Sequence, residues 1–327
     1  MNSRPDFRRR IKERLKHGLF VMHRLGLRLG LSVLPQHHYT CVPDVLALER
    51  TQPIWARRSD LIGVDADLDR QTSRLREVCL PFEPEYRGNA AFRRACELDC
   101  GPGFGYVEAQ ALHAVVRHFK PATIVEVGAG VSTYCMVEAV RRNQSESGRA
   151  CNLVSIEPYP SSWLRQAPVK LVARPVQEVP LETFEALGPN DLLFIDSSHA
   201  VKTGSDTNFL VLEVLPRLKP GVVVHFHDIY LPYDYPRDTL TSFFHAQETA
   251  LLHAFLIGNR DARILFCLSQ LHYERPELLK TAFPEYRPRP GPDGLDPAGF
   301  AARDPGGHFP SSTYLEILAT MADPHGD

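Results

Sequence analysis

Thr123-Ile124-Val125-Glu126-Val127-Gly128-Ala129-Gly130-Val131-Ser132-Thr133 carries more information about the fold than any other part of this chain. A β-branched run leads through Glu126 into a glycine turn, and a helix-like pattern begins at once. A buried strand ending in such a turn brings backbone N–H groups and a helix N-terminus up to a ligand. Gly128 and Gly130 can take positive φ and leave room for a close approach to the backbone. A dinucleotide fingerprint needs a third glycine, and Thr133 stands in its place, preceded by Ser132. Glu126, two residues before the first glycine, would repel a pyrophosphate. The same carboxylate suits a cationic ligand such as the amino-acid end of S-adenosylmethionine, so the turn favours a methyl donor over NAD.

Away from the turn, strands and helices alternate from about residue 106. A helix over 106–118 precedes the strand at 123–127, and a second helix covers 132–143. Further strands are expected at 152–156, 169–173, 191–195, 222–226 and 262–267, with helices at 203–218 and 238–258 between the later ones. Residues 311–318 alternate again and fit a last, antiparallel strand. This order predicts an α/β, Rossmann-like doubly wound, mostly parallel seven-stranded sheet with helices on both faces. Ligands of such sheets bind outside the carboxyl ends of the strands. Glu126, Glu157, Asp196 and the His227-Asp228 pair all fall at those ends.

The rest of the chain forms an N-terminal helical and irregular extension. Residues 1–34 read as a basic amphipathic helix, 35–105 as a proline-divided cap, and 106–327 as the ligand-binding domain. In the first segment Phe7, Ile11, Leu15, Leu19, Met22, Leu25 and Leu29 recur at steps of three and four. Residues 1–30 hold nine Lys/Arg against Asp6 and Glu13, a net of +7, while the remaining 297 residues carry a net of −9. The helix fits an interfacial element touching an anionic membrane or a partner, or one packed on its own domain or a dimer mate. The acidic body gives no global charge case for nucleic-acid binding. Residues 284–310, with seven prolines and five glycines, read as a long loop that serves as a lid or a surface excursion.

Hydrophobic residues make up 43% and charged residues 23% of the 327, ordinary globular usage. Seven scattered cysteines, an odd number without a CxxC, suit reduced thiols and a cytoplasmic location. No apolar run reaches the roughly 20 residues that span a bilayer, and a peripheral membrane contact through residues 1–30 stays open.

Several polar residues at the strand ends form a chemical set. Glu157, 27 residues beyond Gly130, can accept both hydroxyls of a ribose. Gln177, after the third strand, can reach an adenine amino group. Asp196, His227 and Asp228 can converge and hold a divalent ion. His199, three residues past Asp196, is left as a general base titrating in a useful range. Tyr230, Tyr233 and Tyr235 can line an acceptor pocket.

With these residues in place, the chain resembles the class I S-adenosylmethionine-dependent methyltransferases, and more closely a bacterial subgroup related to catechol and sugar O-methyltransferases. The likeness covers roughly residues 104–270. It is carried by HFKPATIVEVGAGVSTY, by LLFIDSSHAVKTGSDTNFLVLEVLPRLKPGVVVHFHDIYLPYDYP and, weakly, by QETALLHAFL; HHYTCVPD at 37–44 resembles the subgroup's lead-in. The resemblance implies that Glu126, Gly128, Gly130 and Ser132 hold the methionine end, Glu157 the ribose and Gln177 the adenine region, with Asp196 on the same rim. In metal-dependent relatives it implies magnesium at Asp196 and the His227-Asp228 pair, with His199 as base. His227 departs from that pattern, because magnesium prefers oxygen donors; either the imidazole favours manganese, iron or zinc, or the site holds no metal.

The expected function is O-methylation of a small-molecule or saccharide hydroxyl, with S-adenosylmethionine and a divalent ion as cofactors and a homodimer among the possible assemblies. Two other functions compete. One is a non-catalytic cofactor-fold protein docked through its basic arm. The other is a metal-dependent hydrolase using Asp196, His199, His227 and Asp228.

Overall fold

The computed structural model describes residues 4–37, 39–101, 103–242, 244–287, 294–296 and 309–319, with side chains from residue 14 onward. The chain divides into two compact units, residues 1–52 and residues 53–327. The first unit carries the helix Arg4–Arg28. On it Leu15, Leu19, Met22 and Leu25 are exposed, as is Leu29 just past its end. Phe7 and Ile11 of the expected stripe have side chains outside the described residues. No helix among the described residues is long and apolar enough to cross a membrane.

The second unit is built on seven strands: β1 (Thr123–Val127), β2 (Asn152–Ile156), β3 (Lys170–Val172), β4 (Leu192–Ile195), β5 (Val223–Phe226), β6 (Ala262–Cys267) and β7 (Thr313–Ile317). They lie in the order β3-β2-β1-β4-β5-β7-β6. β1 to β5 are parallel, and β7 runs antiparallel to both β5 and β6. The expected mostly parallel seven-stranded sheet is therefore present, with the last strand in sequence inserted beside β5.

Alternation along each strand sends successive side chains to opposite faces. Ile124, Leu192, Phe194 and Val223 pack on one face with the helix Tyr106–Phe119 and the helix Val131–Ser147. Val125, Val127, Leu193, Ile195, Val224 and Phe226 pack on the other with Leu210, Val214 and Leu252. β4 and β5 are buried at every position, as expected of parallel strands covered on both sides. Each such side chain contributes about 1.5–3 kcal/mol on burial. Residues 53–105 contribute to this core. Leu75, Val78, Tyr86, Ala95 and Phe104 share a cluster with Leu112 and Ile124.

Two helices differ from expectation. The one predicted over 203–218 starts at Asp206 and passes through a π-helical Leu210–Val214 into a 3-10 turn at Leu215–Arg217. The helix predicted over 238–258 is confined to Glu248–Leu256, and turns replace its first half. Thr239 and Thr241 donate back to Pro236 and Asp238 in tight turns, so residues 236–242 close on themselves. The long loop expected at 284–310 lies mostly outside the described residues.

Candidate active site

The crevice falls where strand order reverses, between β1 and β4, the place where doubly wound sheets bind ligands. Backbone bonds lace the strand ends together. Gly128 N donates to Ile156 O (3.0 Å), Asp196 N to Val127 O (2.9 Å) and His227 N to Ile195 O (2.9 Å). Gly128 has φ +81°, and a Cβ there would run into the Asp196 carbonyl oxygen. Glycine is thus required by conformation and by space. Above the turn is a cavity of about 380 Å³. Its wall includes Gly128, Gly130, Ser132, Glu157, Asp196, His199, His227 and Asp228, so eight of the residues expected from the sequence meet there.

At the turn, Glu126 is sealed beneath the cavity, with no exposed surface. Ser132 Oγ (2.9 Å) and Ser155 Oγ (2.8 Å) donate to its carboxylate, and Thr133 Oγ1 lies 2.8–2.9 Å from both of its oxygens. Thr133 Oγ1 also accepts from Gly130 N at 3.1 Å. The third fingerprint position is thus used to tie the turn to the buried acid. Burial pushes the Glu126 carboxyl up to about 7, against the pull of the three hydroxyls. Glu126 is linked to the cavity wall through Ser132 and, by way of Thr133, through Gly130. Glu157 accepts from Tyr159 N (2.7 Å) and Ala129 N (3.3 Å), which places its carboxylate on the rim beside the turn.

The second half of the site is richer than the sequence indicated. His199 and Asp228 both adopt left-handed φ, +56° and +53°, unfavourable conformations for residues other than glycine. The start of the helix Glu248–Leu256 holds them there. Gln247 N donates to His199 O (3.0 Å), and Thr249 Oγ1 donates to Asp228 O (3.2 Å). Glu248 Oε2 accepts from His199 Nδ1 at 2.6 Å. His199 Nε2 then faces Asp196 Oδ1 (3.3 Å) and Asp228 Oδ2 (3.5 Å). Burial alone would lower the pKa of His199, but the carboxylates of Asp196, Glu248 and Asp228 hold it well above the usual imidazole value. Burial would raise Asp196, yet His227 and His199 hold it well below the usual carboxylate range.

His227 lies between two acids, its Nδ1 3.3 Å from Asp196 Oδ1 and its Nε2 3.2 Å from Glu108 Oε2. Burial would lower its pKa as well, but Asp196, Glu108 and Asp228 raise it well above the ordinary value. Its neighbour on the same face, His225, stacks on Phe194 at 4.1 Å and is driven down to about 3 by burial, so it is a neutral core residue. Asp196, His199 and His227 each offer a donor atom within one small volume. Magnesium does not fit this donor set, because imidazole nitrogens stand where it wants oxygen.

Four further residues named from the sequence do not line this cavity. Gln177 is not on it; its amide donates to Gly204 O at 2.9 Å. Tyr233 and Tyr235 pack into a separate buried cluster with Leu295. Tyr230 also lies off the wall, its hydroxyl donating to Asp228 Oδ1 at 3.0 Å. The wall also takes Tyr159, Ser161, Cys100, Gly101 and Gly103. Glu108 and Glu248 escaped sequence reading because each sits in the first turn of a helix, where an acid is ordinary capping chemistry. No disulfide joins the seven cysteines.

Residues 125–229 match a family model described as a methyltransferase domain. That match spans about a third of the chain and takes in the glycine turn and the ends of β4 and β5, at the switch point of the sheet. Among curated proteins it is similar to an uncharacterized protein of Archaeoglobus fulgidus, 26% identical over 194 residues, spanning 53% of this chain and 81% of the relative. Among solved structures it is loosely similar to the O-methyltransferase TomG of Streptomyces achromogenes, which acts in tomaymycin synthesis and was solved with S-adenosylmethionine. That likeness has a TM-score of 0.39 at 13% identity, covering 84% of this chain and 97% of the other.

Proposed function

We propose that this methyltransferase acts on a hydroxyl of a small molecule or saccharide, with His199 taking the hydroxyl proton. The observation that carries this is the pairing within one cavity of a glycine turn, on one side, with an imidazole fixed by Glu248 on the other. S-adenosylmethionine, when bound, supplies a methyl carbon already activated by its sulfonium, so the protein's main task is alignment. Gly128 and Gly130 let the methionine end lie against the backbone, with Ser132 and the buried Glu126 behind it. Glu157 has the position to accept from a ribose diol. His199, with Nδ1 committed to Glu248, presents Nε2 to the cavity, and that nitrogen receives the acceptor's proton as the new O–C bond forms. The surrounding carboxylates make His199 a stronger base once Nε2 is free, while lowering the fraction that is free at neutral pH. General-base help of this kind is worth about 10²–10⁴-fold.

The test uses methyl-labelled S-adenosylmethionine with a panel of catechols, phenols and sugars. Label should pass to an acceptor hydroxyl in wild-type protein and fall by about 10²–10⁴-fold in His199→Ala. Equal transfer by the variant would remove His199 from the chemistry, and label found only on nitrogen or sulfur acceptors would refute O-methylation.

A further inference from the structure

The loop after β5 leads from Asp228 on the cavity wall, past Tyr230, to Arg237, which is only 6% exposed. We infer that Arg237 is the docking point for an oxyanion, a carboxylate or phosphate group, carried by the methyl acceptor. The inference rests on the methyltransferase reading of the neighbouring cavity. It adds the acceptor's chemical class, a hydroxyl compound bearing a negative charge.

A guanidinium keeps its charge in proteins, so once buried it needs an anion or a full set of hydrogen bonds. Arg237 has neither among the described residues. Its Nη1 donates to Tyr273 Oη at 2.7 Å, while Nε and Nη2 are buried without an acceptor. The acids nearest in sequence, Asp234 and Asp238, are exposed. Nε–H and Nη2–H run parallel along one edge of the planar fork, the edge that receives two oxygens of a carboxylate or phosphate. The bond to Tyr273 leaves that edge whole.

The surroundings support the cation without neutralising it. The Phe309 ring centre lies 4.5 Å from the guanidinium carbon, a cation–π contact. His272 meets Phe309 edge-on at 4.8 Å, and burial, with Arg237 adding to the effect, drives its pKa down to about 4, so it is neutral. The Tyr273 ring packs on Tyr233 at 5.1 Å, which braces the hydroxyl that holds Nη1. Arg237 O accepts from Asp296 N at 2.7 Å, so the backbone beneath the fork is pinned as well.

The path to the reacting centre is short. Phe309 stacks on Tyr230 at 6.0 Å, and Tyr230 Oη donates to Asp228 Oδ1 at 3.0 Å. One aromatic pair thus separates the oxyanion site from the cavity wall. The acceptor's charge and its reacting hydroxyl belong on opposite sides of that pair, which makes Arg237 a specificity-determining residue rather than part of the proton transfer.

The experiment is calorimetry on the full chain, with and without S-adenosylhomocysteine, comparing protocatechuate with catechol and glucose 6-phosphate with glucose. In at least one pair the anionic member should bind at least about 100-fold more tightly than its neutral counterpart, and that pair tells carboxylate from phosphate. Arg237→Met, an apolar side chain of similar length, should bind that anionic member about 100-fold more weakly and its neutral counterpart within about twofold of wild type. Arg237→Lys, a charge without the fork, should fall between them. S-adenosylmethionine affinity should be unchanged in both variants. Neutral compounds bound as tightly as anionic ones in both pairs, or neither anionic compound bound at all, would overturn the inference. So would a preference that survives in Arg237→Met, since the anion would then be held elsewhere. The comparison within wild-type protein stands even if a variant does not fold. Failure to transfer methyl label to any hydroxyl would instead defeat the proposed function and leave the oxyanion preference readable by calorimetry, so the two failures are distinguishable.

Discussion

Glu126 and Asp196 stand on neighbouring strand ends, the first sealed and the second partly exposed, and their pKa values are displaced in opposite directions. Glu126 is surrounded by the hydroxyls of Ser132, Thr133 and Ser155, which are neutral donors, and its carboxyl is pushed up to about 7. Asp196 is flanked by His227 and His199, which become cationic beside it, and is held well below the usual range. Burial acts in the same direction on both acids, so the neighbours decide the outcome. A hydroxyl-lined acid ties the turn to the strands beneath it and titrates close to neutral pH. An imidazole-lined acid makes a charged cluster that can move a proton or hold a cation.

The largest expected effect tests the second region. His199→Ala should lower methyl transfer by about 10²–10⁴-fold with S-adenosylmethionine affinity unchanged, because the glycine turn is left intact. A matching loss of cofactor affinity, seen by calorimetry, would show that the two regions are not separable.

Next is the joint between them. Gly128→Ala combines a φ of +81° with a collision against the Asp196 carbonyl and should cost about 3 kcal/mol or more in urea unfolding. Gly148→Ala, with φ +70° and open space around it, should cost only about 1 kcal/mol. Equal losses would mean that conformation alone, and not the contact with Asp196, requires glycine at 128.

The first region can be tested through pH. The Glu126 pKa rises on folding from 4.5 to about 7, so its contribution to stability is complete below about 4.5 and is lost as pH climbs through about 7. Glu126→Gln removes that titration. Its unfolding free energy should gain on that of wild type between pH 4.5 and 7.5, by at most about 3 kcal/mol. A constant difference across that range would show that Glu126 is charged throughout.

The sequence made the sheet legible because its strands are short β-branched runs bounded by Gly, Pro and acidic residues. β7 was visible from alternation alone, although its insertion between β5 and β6 was not. The glycine turn, Glu157, Asp196, His199, His227 and Asp228 were legible because each follows a strand directly, where topology alone brings residues together. Glu108 and Glu248 were not, since their roles come from helices whose position over the strand ends is a tertiary fact. The three tyrosines misled for a related reason. A loop after β5 was enough to suggest the pocket, but Tyr233 and Tyr235 turn away to fill a separate apolar cluster. The helix expected at 238–258 was overextended because an apolar pattern continues across residues that close into turns.

The most direct measurement is titration of S-adenosylmethionine into wild-type, His199→Ala and Glu157→Ala proteins by calorimetry. Wild type and His199→Ala should bind one equivalent with affinities within twofold of each other. Glu157→Ala should bind at least about 10-fold more weakly, the loss expected when hydrogen bonds to a charged acceptor are removed. Binding that disappears in His199→Ala and survives unchanged in Glu157→Ala would contradict the division of the cavity into a cofactor half at the glycine turn and a proton-transfer half at β4 and β5.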